Sequence, residues 1–119
     1  MQGQMETELG KIVIDTDVIA TYAGSVAVEC FGIVGMATIS MKDGLAKLLK
    51  SDTVSRGVNV TINEDKEIDI DFHIIVAYGV NIKTVVNNLI RTVKYQVEDY
   101  TCLKVNCINV FVEGVRVID

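Results

Sequence analysis

Residues 67–82, EIDIDFHIIVAYGVNI, hold the longest clean alternation in the sequence. Ile68, Ile70, Phe72, Ile74 and Val76 fall on one side, and Asp69, Asp71, His73 and Ile75 on the other. A period of two sends successive side chains to opposite faces of an extended strand, and Ile and Phe suit a half-buried pleated surface. The acidic positions put the start of the second face in water. Ile75 and Ala77 make the far end apolar on both sides, so deeper cover is expected there. Tyr78 and Gly79 break the strand. From Ile82 the period changes to steps of three and four, through Val85, Val86, Leu89, Val93, Val97 and Tyr100. That pattern draws one apolar stripe on a helix. Asn81 precedes it as an N-cap, its side-chain oxygen placed to accept a bond from a first-turn N–H. This strand and this helix are the expected core.

On the N-terminal side, Val58, Val60 and Ile62 alternate with Asn59, Thr61 and Asn63. The polar turn Asn63, Glu64, Asp65, Lys66 then joins a second strand to the first as an antiparallel hairpin. Residues 10–15, GKIVID, read as a short strand. Asp15 and Thr16 offer capping oxygens to a helix whose stripe is Val18, Ile19, Tyr22, Ala23, Val26, Ala27 and Cys30. Ala20, Ala23, Gly24, Ser25 and Ala27 let that helix lie close to its neighbour, and Gly32 is expected to end it. Residues 31–41 are expected to be a buried connection. Residues 42–52 are expected to be a shorter helix with Leu45, Leu48 and Leu49 inward, and residues 51–57 a loop. Residues 103–112 form a last strand. Ile108, Val110 and Val112 share a phase that Val105 does not, which predicts a bulge near Asn106 and Cys107. Gly114 is expected to interrupt it before an apolar tail of Val115, Val117 and Ile118. Residues 1–9 are polar and expected to be flexible; residues 10–119 form a single domain. The order β-α-α-β-β-α-β predicts an α+β fold. It has two layers, with helices packed on one face of a small mixed sheet whose exposed edges invite self-association.

With 119 residues, half of them apolar, the chain is long enough for one packed core. A net charge of −5 disfavours a broad footprint on nucleic acid or anionic membrane. Three cysteines with no CxxC pair, and a start with no basic-then-apolar leader pattern, predict a reducing, cytoplasmic setting. No apolar run approaches the roughly 18 residues needed to cross a bilayer, so any membrane association is expected to go through a partner.

The chemistry-bearing residues are sparse. Asp69, Asp71 and His73 share one strand face, but same-face neighbours stand about 7 Å apart, too far for three to hold one ion unaided. A solvated sheet face accounts for them. His73 is the sole histidine, and no nucleophile is paired with it in the sequence. Cys30 and Cys107 read as small hydrophobes and Cys102 as a more exposed thiol. Gly32, Ile33, Val34 and Gly35 form a GxxG between two expected helices, the layout of a KH domain that clamps single-stranded nucleic acid. Ile and Val stand where a clamp would want basic residues, so a degenerate KH-like binder is the alternative rather than the leading expectation. No catalytic, metal or cofactor residue is assigned. The candidate partner-binding or self-association positions are Gly32, Ile33, Val34, Gly35, Val115, Val117 and Ile118.

GKIVIDTDVIATYAGSVAVECFGIVGM, SRGVNVTI, IVAYGVNI and TCLKVNCINVFVEGV together resemble the alkaline shock protein family of bacterial envelope stress response proteins, most of all its small YloU-like branch. The resemblance spans about residues 10–115. In the family a glycine usually follows the Thr that ends the long helix; here Cys102 does, so an altered or strained turn is expected. The resemblance implies a non-enzymatic cytoplasmic scaffold or adaptor that forms homo-oligomers and binds protein. It further implies a link to the envelope through a membrane-anchored partner, or to lipid metabolism, with no cofactor and no catalytic residues.

Overall fold

The computed structural model describes residues 2–7, 9–39, 46–48 and 57–117. The elements in order are β1 (Gln2–Thr7), β2 (Gly10–Asp15), α1 (Thr16–Val28), β3 (Ile33–Ile39), β4 (Ala46–Leu48), β5 (Val58–Ile62), β6 (Ile68–Ala77), α2 (Ile82–Thr101) and β7 (Val105–Arg116). The fold is α+β, with two helices over a mixed five-stranded sheet.

The alternating stretch is β6, and it is paired along both edges. One edge carries β7 in parallel, from Ile68↔Val105 to Ala77↔Arg116. A parallel neighbour needs a long crossover, and α2 supplies it. The other edge is shared end to end by two antiparallel strands. β5 pairs with the first half of β6 (Val58↔Phe72 to Ile62↔Ile68), and β3 with the second half (Ile33↔Val76 to Met36↔Ile74). β4 extends β3 outward, and β1 with β2 make a separate two-stranded hairpin.

Ile68, Ile70, Phe72, Ile74 and Val76 are all buried, as the alternation predicts. Fully burying a side chain of this kind contributes about 1.5–3 kcal/mol before the entropy of ordering is subtracted. Against them α2 packs Val85, Leu89, Val93 and Val97, while α1 packs Ile19, Ala20, Ala23 and Ala27. The small residues of α1 let its backbone sit close to the sheet. The ends of the α2 stripe, Ile82 and Tyr100, stay in solvent. Tyr100 turns instead onto Tyr22 of α1, the rings stacked with centroids 4.1 Å apart. The Tyr22 hydroxyl donates to Gln96 Oε1 at 3.1 Å.

Local chemistry sets the element ends. Asp15 Oδ1 accepts from the Asp17 N–H at 3.1 Å and Asn81 Oδ1 from the Thr84 N–H at 3.0 Å, each an N-cap as read from the sequence. Asn63 Oδ1 accepts from the N–H groups of Asp65 and Glu67, which closes the β5–β6 turn. The buried Thr101 hydroxyl donates to Val97 O and accepts from the Leu103 N–H. Cys102 then takes the left-handed conformation, φ 60°, its N–H bonded to Glu98 O. The strained turn foreseen at that cysteine is present.

The expected bulge lies at Asn106, where the register passes from Ile68↔Val105 to Asp69↔Cys107. A second lies at Glu113, where it passes from Ile74↔Val112 to Ile75↔Gly114. Gly114 therefore does not interrupt β7. The bulge absorbs the irregularity, and pairing continues until the Tyr78 N–H meets Arg116 O at 2.8 Å.

Other segments correct the sequence-based expectation. Residues 2–7 are a strand rather than an unpaired end, matched Gln2↔Asp15 to Thr7↔Gly10. Within residues 31–41, taken as a connection, Ile33–Ile39 is a strand; 40 and 41 lie outside the described residues. Of the helix expected over residues 42–52, the described part, Ala46–Leu48, is a strand paired with residues 37–39; the rest lies outside the described residues. A short apolar run does not separate strand from helix by periodicity, and here the free edge of β3 decides.

Gly57 sits where β3 and β5 meet on the flank of β6. A Cβ there would stand 2.9 Å from Ala37 O, 2.9 Å from Met36 Cβ and 3.0 Å from His73 O. Gly57→Ala is expected to destabilise the fold by about 1–3 kcal/mol, because backbone must move to admit the methyl. Cys102→Gly is expected to stabilise it by about 1 kcal/mol, since glycine occupies the left-handed cap without Cβ strain. Urea denaturation midpoints at constant m-value measure both.

Candidate interaction surface

With both helices on one side of the sheet, the other side of β6 and β7 is left open among the described residues. On it the stripe Asp69, Asp71, His73 meets polar partners from β7. Asn106 Nδ2 donates to Asp69 Oδ1 and Asn109 Nδ2 to Asp71 Oδ1, each at 2.9 Å. His73 Nδ1 lies 2.8 Å from Glu113 Oε1, and the imidazole stacks on Phe111 with centroids 4.8 Å apart. The hairpin read from the sequence puts the polar positions of β5 alongside this stripe. Asn59 and Thr61 do lie opposite Asp71 and Asp69, but the hydrogen-bonding partners come from β7. No local signal marks that pairing, because β7 reaches β6 in parallel through a helix and a bulge. The chemistry of the ladder is cross-strand fastening. Among the described residues no group of three or more His, Cys, Asp or Glu could hold a metal ion.

The candidate positions separate into two places. Gly32 (φ 85°) makes the turn after α1, and a Cβ on it would stand 2.6 Å from Val85 Cγ2 of α2. Ile33 is buried and Gly35 pairs with Ile75, with the irregularity between them at Val34. Residues 32–35 therefore enter the sheet, and their backbone groups serve β6 rather than a phosphate. The alternative of a KH-like clamp, which needs a free loop between two helices, finds no support there. Val115 lies at the far end of β7 and Val117 just past it, 54% and 70% exposed; Ile118 lies outside the described residues. Phe111, 46% exposed, stands beside His73 on the open face, whereas Val115 is paired with the buried Val76 and points to the helix side.

On the helix side, a cleft of about 490 Å³ runs between α1 and α2, lined among others by Tyr22, Val26, Cys30, Phe31, Asn88 and Thr92. Cys30 is buried at its edge, with Sγ 3.5 Å from Val26 O, whereas Cys102 and Cys107 are exposed. Burial pushes the Cys30 thiol above its ordinary value; a hydrogen bond with Thr92 works against this, and the nearby Glu29 carboxylate adds to it. No helix among the described residues is long and apolar enough to cross a membrane.

Nearly the whole fold, from within β1 to the end of β7, coincides with one family model, that of the alkaline shock proteins, described as having a cell envelope-related function; it matches residues 4–117. The chain belongs to the alkaline shock protein family. This is the family that the sequence resembles, and the small branch is also evident. The chain is 45% identical to the uncharacterized protein YloU of Bacillus subtilis (strain 168), over 98% of each chain. It is 36% identical to the uncharacterized protein Spy1614 of Streptococcus pyogenes serotype M6, covering 99% of this chain and 98% of that one. The uncharacterized protein YqhY of B. subtilis is 29% identical over 93% of this chain and 81% of its own. None of these relatives is named for an enzymatic activity. No solved structure matches the chain.

The raised Cys30 thiol gives the protein a pH dependence of known sign. Unfolding frees a thiol that ionises above 9.0, while the buried one stays neutral, so the stability from its burial is whole below that value and lost as pH rises past it. Denaturation midpoints taken from neutrality to one unit above that value should fall, and Cys30→Ala should fall less over the same window.

Proposed function

We propose that this alkaline shock family chain is a non-enzymatic scaffold or adaptor of the cell-envelope stress response, working in the cytoplasm by self-association and by binding protein. The observation that carries this reading is the flank of β7, unpaired among the described residues, with Phe111 exposed on one face of the strand, Val115 on the other, and Val117 just past its end. Exposed apolar side chains beside an open strand edge favour association with another protein. The family's cell envelope-related function supplies the setting. The polar ladder on the open face supports the same reading, since its charged groups are engaged with neighbours rather than converging on a substrate. Contact with the membrane, in this proposal, runs through a membrane-anchored partner.

The test is a mild-lysis pull-down of the tagged protein from its own cells, analysed for protein and RNA with and without nuclease. Recovery of one membrane or lipid-metabolism protein, unchanged by nuclease and lost from a Val115→Lys, Val117→Lys variant, is the expected result. Recovery that collapses on nuclease treatment overturns it.

A further inference from the structure

We infer that two copies of this chain join along β7, antiparallel and edge to edge about a two-fold axis, to form one continuous sheet. The inference rests on the self-association proposed above and assigns it a surface.

β7 is the longest strand among the described residues, with 12 residues, and is hydrogen-bonded to β6 along one side. Among the described residues no strand lies along its other side. In a parallel ladder, alternate residues turn their N–H and C=O groups away from the neighbour, so that side presents a row of donors and acceptors ready for a strand. The bulges at Asn106 and Glu113 kink the two ends and leave residues 107–112 in unbroken register. Six residues match the usual length of a strand in a sheet.

The composition of this edge favours a second copy. The chain carries a net charge of −5, so two copies repel over most of their surface. β7 itself holds one negative group, Glu113, and one positive group, Arg116, and Glu113 already faces His73. The edge is thus a neutral strip on an acidic molecule, and two such strips meet without like-charge conflict. On the open face Phe111, flat against His73, would gain cover from the facing strand. A β7–β7 contact uses the same patch on both copies and closes as a dimer, whereas β7 against the five-residue β5 edge would repeat head to tail and not close.

Sedimentation velocity of the wild-type chain and three variants tests this. Phe111→Lys brings one ammonium group from each copy into the six-residue joint, Asn109→Lys does so two residues along, and Phe31→Lys alters the exposed helix side as a control. The wild type is expected to be dimeric. Phe111→Lys and Asn109→Lys should weaken dimerisation about tenfold or more while keeping the native circular dichroism and cooperative unfolding; Phe31→Lys should leave it unchanged. Two lysine positions keep the test alive if one variant fails to fold. A wild type that stays monomeric at every concentration overturns both this inference and the self-association it rests on. A dimer indifferent to both β7 lysines, or one broken by Phe31→Lys alone, overturns the β7 joint and leaves self-association standing. Open-ended polymers in place of a dimer overturn the two-fold arrangement.

Discussion

The fold depends on the double pairing of β6. Its five inward side chains, Ile68 to Val76 at every second position, are buried under both helices, and its two edges hold β7 on one side and β5 with β3 on the other. A slip of one residue in this strand would turn Asp69, Asp71 and His73 into the core and the isoleucines into water. That penalty fixes the register, and through it the position of every other strand of the large sheet. The shared edge has a consequence of its own: β3 and β5 must abut, and the absence of a side chain at Gly57 lets them.

Where structure follows from near neighbours, it was legible. The alternation of β6, the hairpin to β5, the helix stripe from Val85 to Val97, the Asp15 and Asn81 caps, the bulge at Asn106 and the strained cap at Cys102 all follow from residues a few positions apart. Segments settled by distant pairing were not. The polar residues 2–7 form a strand because Gly10–Asp15 offers a partner, and residues 33–39 do so because β6 has an open half-edge. In the candidate site, the exposed valines of β7 were readable as an apolar tail after a glycine. The path of residues 32–35 has the same distant cause. A GxxG after a helix looks alike in sequence whether it enters a loop or a sheet, and the neighbouring β6 edge is what separates the two.

The two faces of the sheet do different work. The helix-covered face holds the hydrophobic core, with the Tyr22–Tyr100 stack tying one helix to the other on the outer side. The open face is fastened by Asn–carboxylate and His–Glu contacts between β6 and β7, which secure β7 without burying it. Such exposed polar contacts contribute little stability individually. Their effect is positional: they hold an outermost strand in one register while its flank stays accessible.

The layout around β6 also orders events in time. Ile62 finds Ile68 across a short turn, whereas Ile33 must find Val76, and Val105 must find Ile68 only after the whole of α2 has been spanned. Closing a long loop loses more chain entropy than closing a short one, and the loss precedes the contacts that offset it. The β5–β6 hairpin is therefore the easiest first piece of the sheet to form, and β3 and β7 are later arrivals on a template it provides. Until β7 docks, the strand that supplies five side chains to the core shows a bare edge to its surroundings. The interval between hairpin and finished sheet is when a crowded cell is most able to divert this chain into aggregates.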